Sequence, residues 1–393
     1  MTASLPTTVR HVLPGFGYFP DDATEAPMSG ITYVAYQLAR QATAAGRGAS
    51  LLTYSLGNDR MAFETEGVAV RRVRHRPALG HGPVNLSYLG PLAAVGLRER
   101  VAVAHVHSNP YHLKAVRAGR RVVHFHTRDF KPLPAYRRAL AGADALIFCS
   151  AALQRIFRET LGDVPTPQYV VHNGTDPTRF AGRGADGRAF RARLGIGPDE
   201  VVVLFAGTIH KEKGLHVLID AIHEARRLTA TPLRLVVVGS STIWRQIDKP
   251  GGISDYERGL VARADPALVT FVGALPQSQM PIAYAGCDIA CCPSVYPEPF
   301  PVVNVEVMAS GRPVIGSRAG GIPELVADGQ TGVLVEPDDA AALARAIAAL
   351  ADDPARRRAL GEGARRRVEP LTWDRIATTI HGIYDEIAAQ PRR

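Results

Sequence analysis

Short apolar runs alternate along this chain with stretches whose apolar positions recur every three or four residues. In the first half the runs are Val9 to Leu13, Ala49 to Thr53, Val101 to Val106, Arg121 to Phe125, Ala145 to Phe148 and Tyr169 to Val171, with a helical pattern at Gly30 to Ala45. A second series has apolar runs at Val201 to Phe205, Leu233 to Val238, Val269 to Val272, Ile289 to Cys292, Val314 to Ile315 and Val333 to Val335, with helical patterns at Leu215 to Leu228 and Val302 to Ala309. Helical periodicity closes the chain at Asp338 to Ala351, Pro354 to Arg367 and Trp373 to Ala388. Apolar runs of strand length alternating with helices predict parallel sheets flanked by helices, an α/β class. Between the series, Ala181 to Gly187 is small, polar and without apolar periodicity, the signature of a linker. The pattern therefore predicts two doubly wound domains, 1–180 and 181–370, followed by a terminal helical segment, 371–393.

Composition agrees with two well-developed cores: 393 residues, 46% hydrophobic. No run approaches the eighteen apolar residues of a membrane span, and Met1 to Pro6 lacks a signal pattern, so the expected location is the cytoplasm. Cys149, Cys287, Cys291 and Cys292 form neither a C-x-x-C pair nor a zinc-ligand spacing, and read as buried thiols. The net charge of +9 is uneven, since residues 1–180 hold 21 Lys+Arg against 12 Asp+Glu. Arg71, Arg72, Arg74 and Arg76 make one cluster; Arg117, Arg120, Arg121, Arg128, Lys131, Arg137 and Arg138 make another. Such clusters suit either a solvated arginine-rich surface or attraction of an anionic acceptor or of the anionic inner face of a membrane. Nucleic acid is disfavoured, because no nucleic-acid motif accompanies the charge.

Ligands of open parallel sheets bind beyond the carboxyl ends of the strands, and the candidate residues fall there. Gly15 to Gly17 and Ser29-Gly30 follow the first run, His126 follows Arg121 to Phe125, and Gly207 follows Val201 to Phe205. Glu298 and Glu306 bracket E-P-F-P-V-V-N-V-E at the entry to a helix. Carboxylates accept hydrogen bonds from vicinal hydroxyls, and free N–H groups at a helix start favour phosphate, so the pair suits a nucleotide sugar. Lys213 precedes the helix at Leu215, where the dipole favours anions; a phosphate between lysine and helix reconciles the two. His124 and His126 share one strand face and could begin a metal site, but no third ligand lies nearby in sequence.

The segment from Pro293 through Glu306, Gly311, Pro313, Gly320-Gly321, Pro323-Glu324 and Gly329 to Gly332 resembles the donor-site signature of family 4 glycosyltransferases. The resemblance extends through N-G-x-D at Asn173 to Asp176 and G-x-x-x-x-E-K-G at Gly207 to Gly214. It implies the GT-B fold of two facing Rossmann-like domains, with the last helix crossing back to the first. The activity it implies is retaining transfer of a hexose-type sugar from a nucleoside diphosphate sugar, with UDP the expected nucleotide, to a hydroxyl of a small-molecule acceptor. Alternatives within the same architecture are a membrane-associated enzyme with a phospholipid or lipid-linked acceptor, and a nucleotide-sugar-binding protein with little catalysis. Glu298 resembles the acid that holds donor-sugar hydroxyls, Glu306 the one that holds the ribose, and His126 the histidine near the reacting sugar. Lys213 is the expected diphosphate cation, with Gly30, Gly207, Thr208, Gly239, Leu275, Phe300, Pro301, Val302 and Val303 lining the donor; His107 and Asn109 are acceptor-side or structural. Two positions depart from the pattern: Thr208 stands where the family usually has arginine, leaving His210 or Lys211 as substitutes, and Pro301 where many members have glycine. No cofactor beyond the donor is implied, and no D-x-D occurs to hold a metal on diphosphate, so the expectation is metal-independent transfer.

Overall fold

The computed structural model describes residues 8–14, 18–23, 26, 28–55, 60–74, 86–242 and 252–391. Gly15 to Gly17, Arg76 and most of the stretch after Arg74 lie outside the described residues. The chain forms two compact units. Unit 1 comprises Met1–Ala23, Met28–Asn173 and Trp373–Arg393; unit 2 comprises Thr24–Pro27 and Gly174–Thr372.

Unit 1 runs β1 (Val9–Val12), α1 (Gly30–Ala44), β2 (Ala49–Ser55), β3 (Ala62–Thr65), β4 (Val68–Arg74), α2 (Leu86–Gly96), β5 (Val101–His107), β6 (Ala118–Phe125), α3 (Pro134–Leu140), β7 (Ala145–Phe148), α4 (Ala151–Leu161) and β8 (Gln168–Val170). Among the described residues eight strands order as β3-β4-β2-β1-β5-β6-β7-β8, and only the β3–β4 pair is antiparallel. Unit 2 runs α5 (Gly184–Arg193), β9 (Val201–Ala206), α6 (Leu215–Leu228), β10 (Leu233–Val238), α7 (Asp255–Arg263), β11 (Val269–Gly273), α8 (Met280–Gly286), β12 (Ile289–Cys292), α9 (Val302–Ala309), β13 (Val314–Ser317), α10 (Ile322–Leu325), β14 (Gly332–Val335), α11 (Ala340–Ala351) and α12 (Pro354–Val368). Its six strands, ordered β11-β10-β9-β12-β13-β14, are all parallel. The final helix, α13 (Trp373–Ala389), belongs to unit 1, where Trp373 meets Tyr33 edge to face and Arg47 pairs with Asp385 at 2.9 Å.

Two sequence expectations change. Ala181 to Gly187 is not a linker: α5 begins at Gly184, and the division falls instead at Asn173/Gly174. Gly187 is small because its helix packs on α8, where an added Cβ would lie 2.5 Å from the Ala285 carbonyl oxygen. The Arg71 to Arg76 cluster is not a uniform basic surface either. Residues 68–74 form β4, whose Val68, Val70 and Val73 are buried. Arg72 is also buried; it pairs with Asp21, donates to the Phe19 and Arg60 carbonyls and stacks on Phe63. In the second cluster Arg120 pairs with Asp144 and Arg137 donates to the Leu161 carbonyl. Part of the basic excess therefore holds unit 1 together, and less of it is available to a membrane or acceptor.

Candidate functional site

In unit 2 the carboxyl ends of β9, β10 and β11 carry Gly207, Gly239 and Gly273. Gly239 donates to the Gly273 carbonyl at 2.8 Å, and Gly207 donates to Val238 at 3.0 Å. A Cβ on Gly239 would sit 1.8 Å from the Gly207 carbonyl oxygen, so only bare backbone fits there. Leu275, in the loop after β11, is half-buried. Ser240 and Ser241 are occupied in holding the buried Glu257: the Ser241 amide donates to its carboxylate at 2.7 Å, and Ser240 Oγ lies 3.3 Å away. Glu257, one helical turn into α7 behind its Ser254 N-cap, gave no sequence signal beyond that cap.

Beyond β9 a single 3₁₀ turn, Lys211–Lys213, leads through Gly214 into α6, which has no side-chain N-cap and no acid in its first turn. Gly214 has φ 72°, and a Cβ on it would meet the Pro293 carbonyl oxygen at 1.8 Å. That approach brings Lys213 beside the loop after β12. Lys213 Nζ donates to both Glu298 carboxylate oxygens at 2.6 and 2.7 Å and lies 3.4 Å from the Tyr296 hydroxyl; Ser294 Oγ donates to Glu298 Oε2 at 3.1 Å. Glu298 is 5% exposed, and the Lys213 side chain 31%. Burial alone would lower the lysine pKa, but the Glu298 carboxylate outweighs it and holds the ammonium above its ordinary range. His210 and Lys211 are exposed, and Thr208 is half-buried.

The Glu298 backbone is clamped in turn. Its carbonyl accepts from the Gly321 amide at 2.7 Å, and a Cβ on Gly320, at φ 58°, would lie 2.2 Å from that carbonyl oxygen. Gly320→Ala therefore combines left-handed strain with a backbone collision, and about 1–3 kcal/mol of stability is expected to be lost. Urea titration measures this; a midpoint matching the unsubstituted chain would show that the clamp yields freely.

Phe300 is buried, and Pro301 caps α9 without a side-chain hydrogen bond, so Val302 and Val303 stand in the first turn, where amides have no intrahelical acceptor. Glu306, one turn further, is buried and accepts from the Tyr284 hydroxyl at 2.7 Å, with Arg179 Nη1 3.9 Å away. The structure thus joins Lys213 to Glu298 directly, while Glu306 is engaged by Tyr284 and Arg179, neither of which the sequence singled out.

In unit 1, Gly30 opens α1 behind the Ser29 N-cap, with nothing within 4 Å of where its Cβ would be. Asn109 Oδ1 accepts from the Tyr111 amide at 3.1 Å, and Nδ2 lies 3.3 Å from His112 Nε2, so both ends of its amide are used locally. His107 is wholly buried, with Nε2 3.2 Å from His11 Nδ1 and Nδ1 2.9 Å from His126 Nε2. It belongs to five buried histidines on one face of β1, β5 and β6: His11, His105, His107, His124 and, just past β6, His126. Register creates the group, with His11 opposite His105 and His107 opposite His124. Burial pushes His126 and His11 down to about 3; His105, His107 and His124 are pushed well below the usual range by burial and by one another. All five rings are neutral at pH 7. Three-histidine sets, His11/His105/His107 and His107/His124/His126, have nitrogens within 4.8 Å. The third partner for His124 and His126 that sequence proximity could not supply is thus His107, from the neighbouring strand.

Two doubly wound α/β units whose terminal helix completes the first define a GT-B-type chain. The solved sucrose-phosphate synthase of Thermosynechococcus elongatus shares the fold at TM-score 0.80 and 24% identity, covering 97% of this chain and 99% of that one. HepE of Anabaena in complex with UDP and glucose shares it at TM-score 0.74 and 21% identity, covering 97% and 100%. The chain belongs to glycosyltransferase family 4: the model "Glycosyltransferase Family 4" matches residues 28–179, and "Glycosyl transferases group 1" matches residues 186–367. It is 34% identical over 345 residues to a D-inositol 3-phosphate glycosyltransferase of Streptomyces scabiei, covering 84% of this chain and 73% of that protein. Against the protein of the same name from Streptomyces avermitilis it is 37% identical over 229 residues, covering 57% and 48%. The chain thus spans about half the length of some curated relatives it matches. Among the described residues no helix is long and apolar enough to cross a membrane.

Proposed function

We propose that this chain transfers a hexose-type sugar, with retention, from a nucleoside diphosphate sugar to a hydroxyl of a small-molecule acceptor. The observation that carries this is the Lys213–Glu298 pair, held between the uncapped start of α6 and the loop leading into α9. A diphosphate arriving at the α6 N-terminus competes with Glu298 for the Lys213 ammonium, and the carboxylate is released toward sugar hydroxyls. The cation then stabilises charge on the departing phosphate. On this reading the anomeric C–O bond to phosphate breaks, and the acceptor oxygen bonds to the same face. The acceptor proton passes to the leaving phosphate oxygen, so no protein base is required. Glu306 serves the ribose, and the bare glycine backbone at Gly207, Gly239 and Gly273 leaves room for the nucleotide. The assignment of His126 to a sugar hydroxyl rests on the family resemblance. UDP is the favoured nucleotide because HepE is solved with UDP and glucose. A small polar acceptor is favoured by the relatives named D-inositol 3-phosphate glycosyltransferases.

Ligands that bind only the folded state raise the melting temperature. A thermal-shift screen of UDP-, GDP- and ADP-sugars in EDTA is expected to show the largest rise with a UDP-sugar, about 2.7 kcal/mol of stabilisation at a hundredfold excess over Kd. Transfer that disappears in EDTA and returns with manganese would refute the metal-independent reading; no rise with any nucleotide sugar would refute the donor site.

A further inference from the structure

Three of the five histidines form a line, His11–His107–His126, linked at 3.2 and 2.9 Å. Their ring centroids are 5.5 and 5.1 Å apart, the N···N distances plus two ring radii, so the nitrogens face each other along the line of centres. That is the geometry of a shared proton. Nitrogens converging on a metal would lie at an angle to that line. Each ring is neutral and carries one proton, and each link needs one donor and one acceptor. If His11 donates from Nδ1, His107 must donate from Nδ1, and His126 keeps its proton on Nδ1. If His126 donates from Nε2, the other two protons also lie on Nε2. The three tautomers are locked to one another.

We infer that His11 and His107 are positioning residues: the imidazole line sets the ring orientation and tautomer of His126 from two rings away. Nδ1 of His126 is buried without a partner among the described residues, so Nε2 is the atom through which the protein orients this ring. A parallel line, Tyr384–His105–His124, linked at 2.5 and 3.2 Å, starts from α13 and ends on His124 Nε2, which likewise has no partner among the described residues. It provides an internal control.

The test is ¹⁵N spectroscopy of histidine ring nitrogens in the full chain at pH 7.5, with signals assigned by single substitutions. His11, His107 and His126 should each show one tautomer, and the same one. Replacing His11 with Leu should change or mix the tautomer of His126, whereas Tyr384→Phe should change His124 and leave His126 as it was. Different tautomers within the line, averaged signals in the unsubstituted protein, or a His126 signal indifferent to His11→Leu would each overturn the inference. A kinetic arm rests on the proposed role of His126. His107→Leu should lower kcat roughly 10- to 100-fold with little change in donor KM, and His107→Asn, which keeps an amide where Nδ1 lies, should recover much of it. If the spectra behave as expected and His126→Phe leaves transfer unchanged, the sugar contact of His126 fails and the imidazole line stands. Mixed tautomers together with a His126-dependent kcat mean the opposite: the sugar contact stands and the line fails.

Discussion

Lowering the pH from 7 to 5 is expected to destabilise unit 1 strongly. His11 and His126 are pushed down to about 3 in the folded protein, and His105, His107 and His124 lie well below their ordinary value, in each case chiefly through burial. In the unfolded chain the same imidazoles titrate near 6.5. Above that value neither state binds the proton, and stability does not respond. Between 6.5 and the folded values only the unfolded state binds it, so stability falls with falling pH. At pH 5 His11 and His126, with folded values of about 3, then each cost about 2 kcal/mol. Together these two cost about 4 kcal/mol, a large share of the stability of an ordinary domain, and His105, His107 and His124 act in the same direction. Melting temperature across this pH range, followed by near-ultraviolet circular dichroism, should drop steeply below 6.5. His11→Asn should lessen the slope by about one proton. A melting temperature flat between pH 7 and 5 would mean that these imidazoles are not held neutral.

Glu298→Gln and Lys213→Ala are expected to abolish most transfer for different reasons. The glutamine keeps the shape but cannot hold the ammonium by charge; kcat/KM should fall by roughly 10²–10³, as when one preorganised electrostatic contact is removed. Lys213→Ala removes the cation proposed for the diphosphate and strands a buried carboxylate. One-sided disruption of a buried pair costs about 3–5 kcal/mol, and the partial exposure of Lys213 should reduce this to about 1–3. Combining both changes should recover stability without recovering activity, since no unpaired charge is left in the core. A double variant as unstable as Lys213→Ala, or a Glu298→Gln variant with normal kcat/KM, would remove this pair from the mechanism.

Strand–helix alternation was readable along most of both units because buried parallel strands are apolar on both faces. It failed at β4, where Arg71 and Arg72 interrupt the apolar pattern: the acidic partner that makes buried Arg72 tolerable, Asp21, lies far away in sequence. Gly187 misled for a related reason, since a glycine demanded by a neighbouring helix looks locally like one in a flexible connection. In the site, Lys213 and Glu298 could be named separately from their motifs. Their direct contact depends on Gly214 seating against Pro293, a tertiary approach. The histidine lines were less visible still, because strand register fixes them: His11, the 105/107 pair and the 124/126 pair come from three separate segments.

The order of synthesis gives the position of α13 a further meaning. Tyr384 and Trp373 complete unit 1, yet the ribosome makes them only after every residue from Gly174 to Thr372. Unit 2 can therefore reach its native state on the nascent chain while unit 1 still lacks its closing helix. An arrest of translation between the two would release a protein with an intact unit 2 and an uncovered histidine face, a species for chaperones and proteases to recognise.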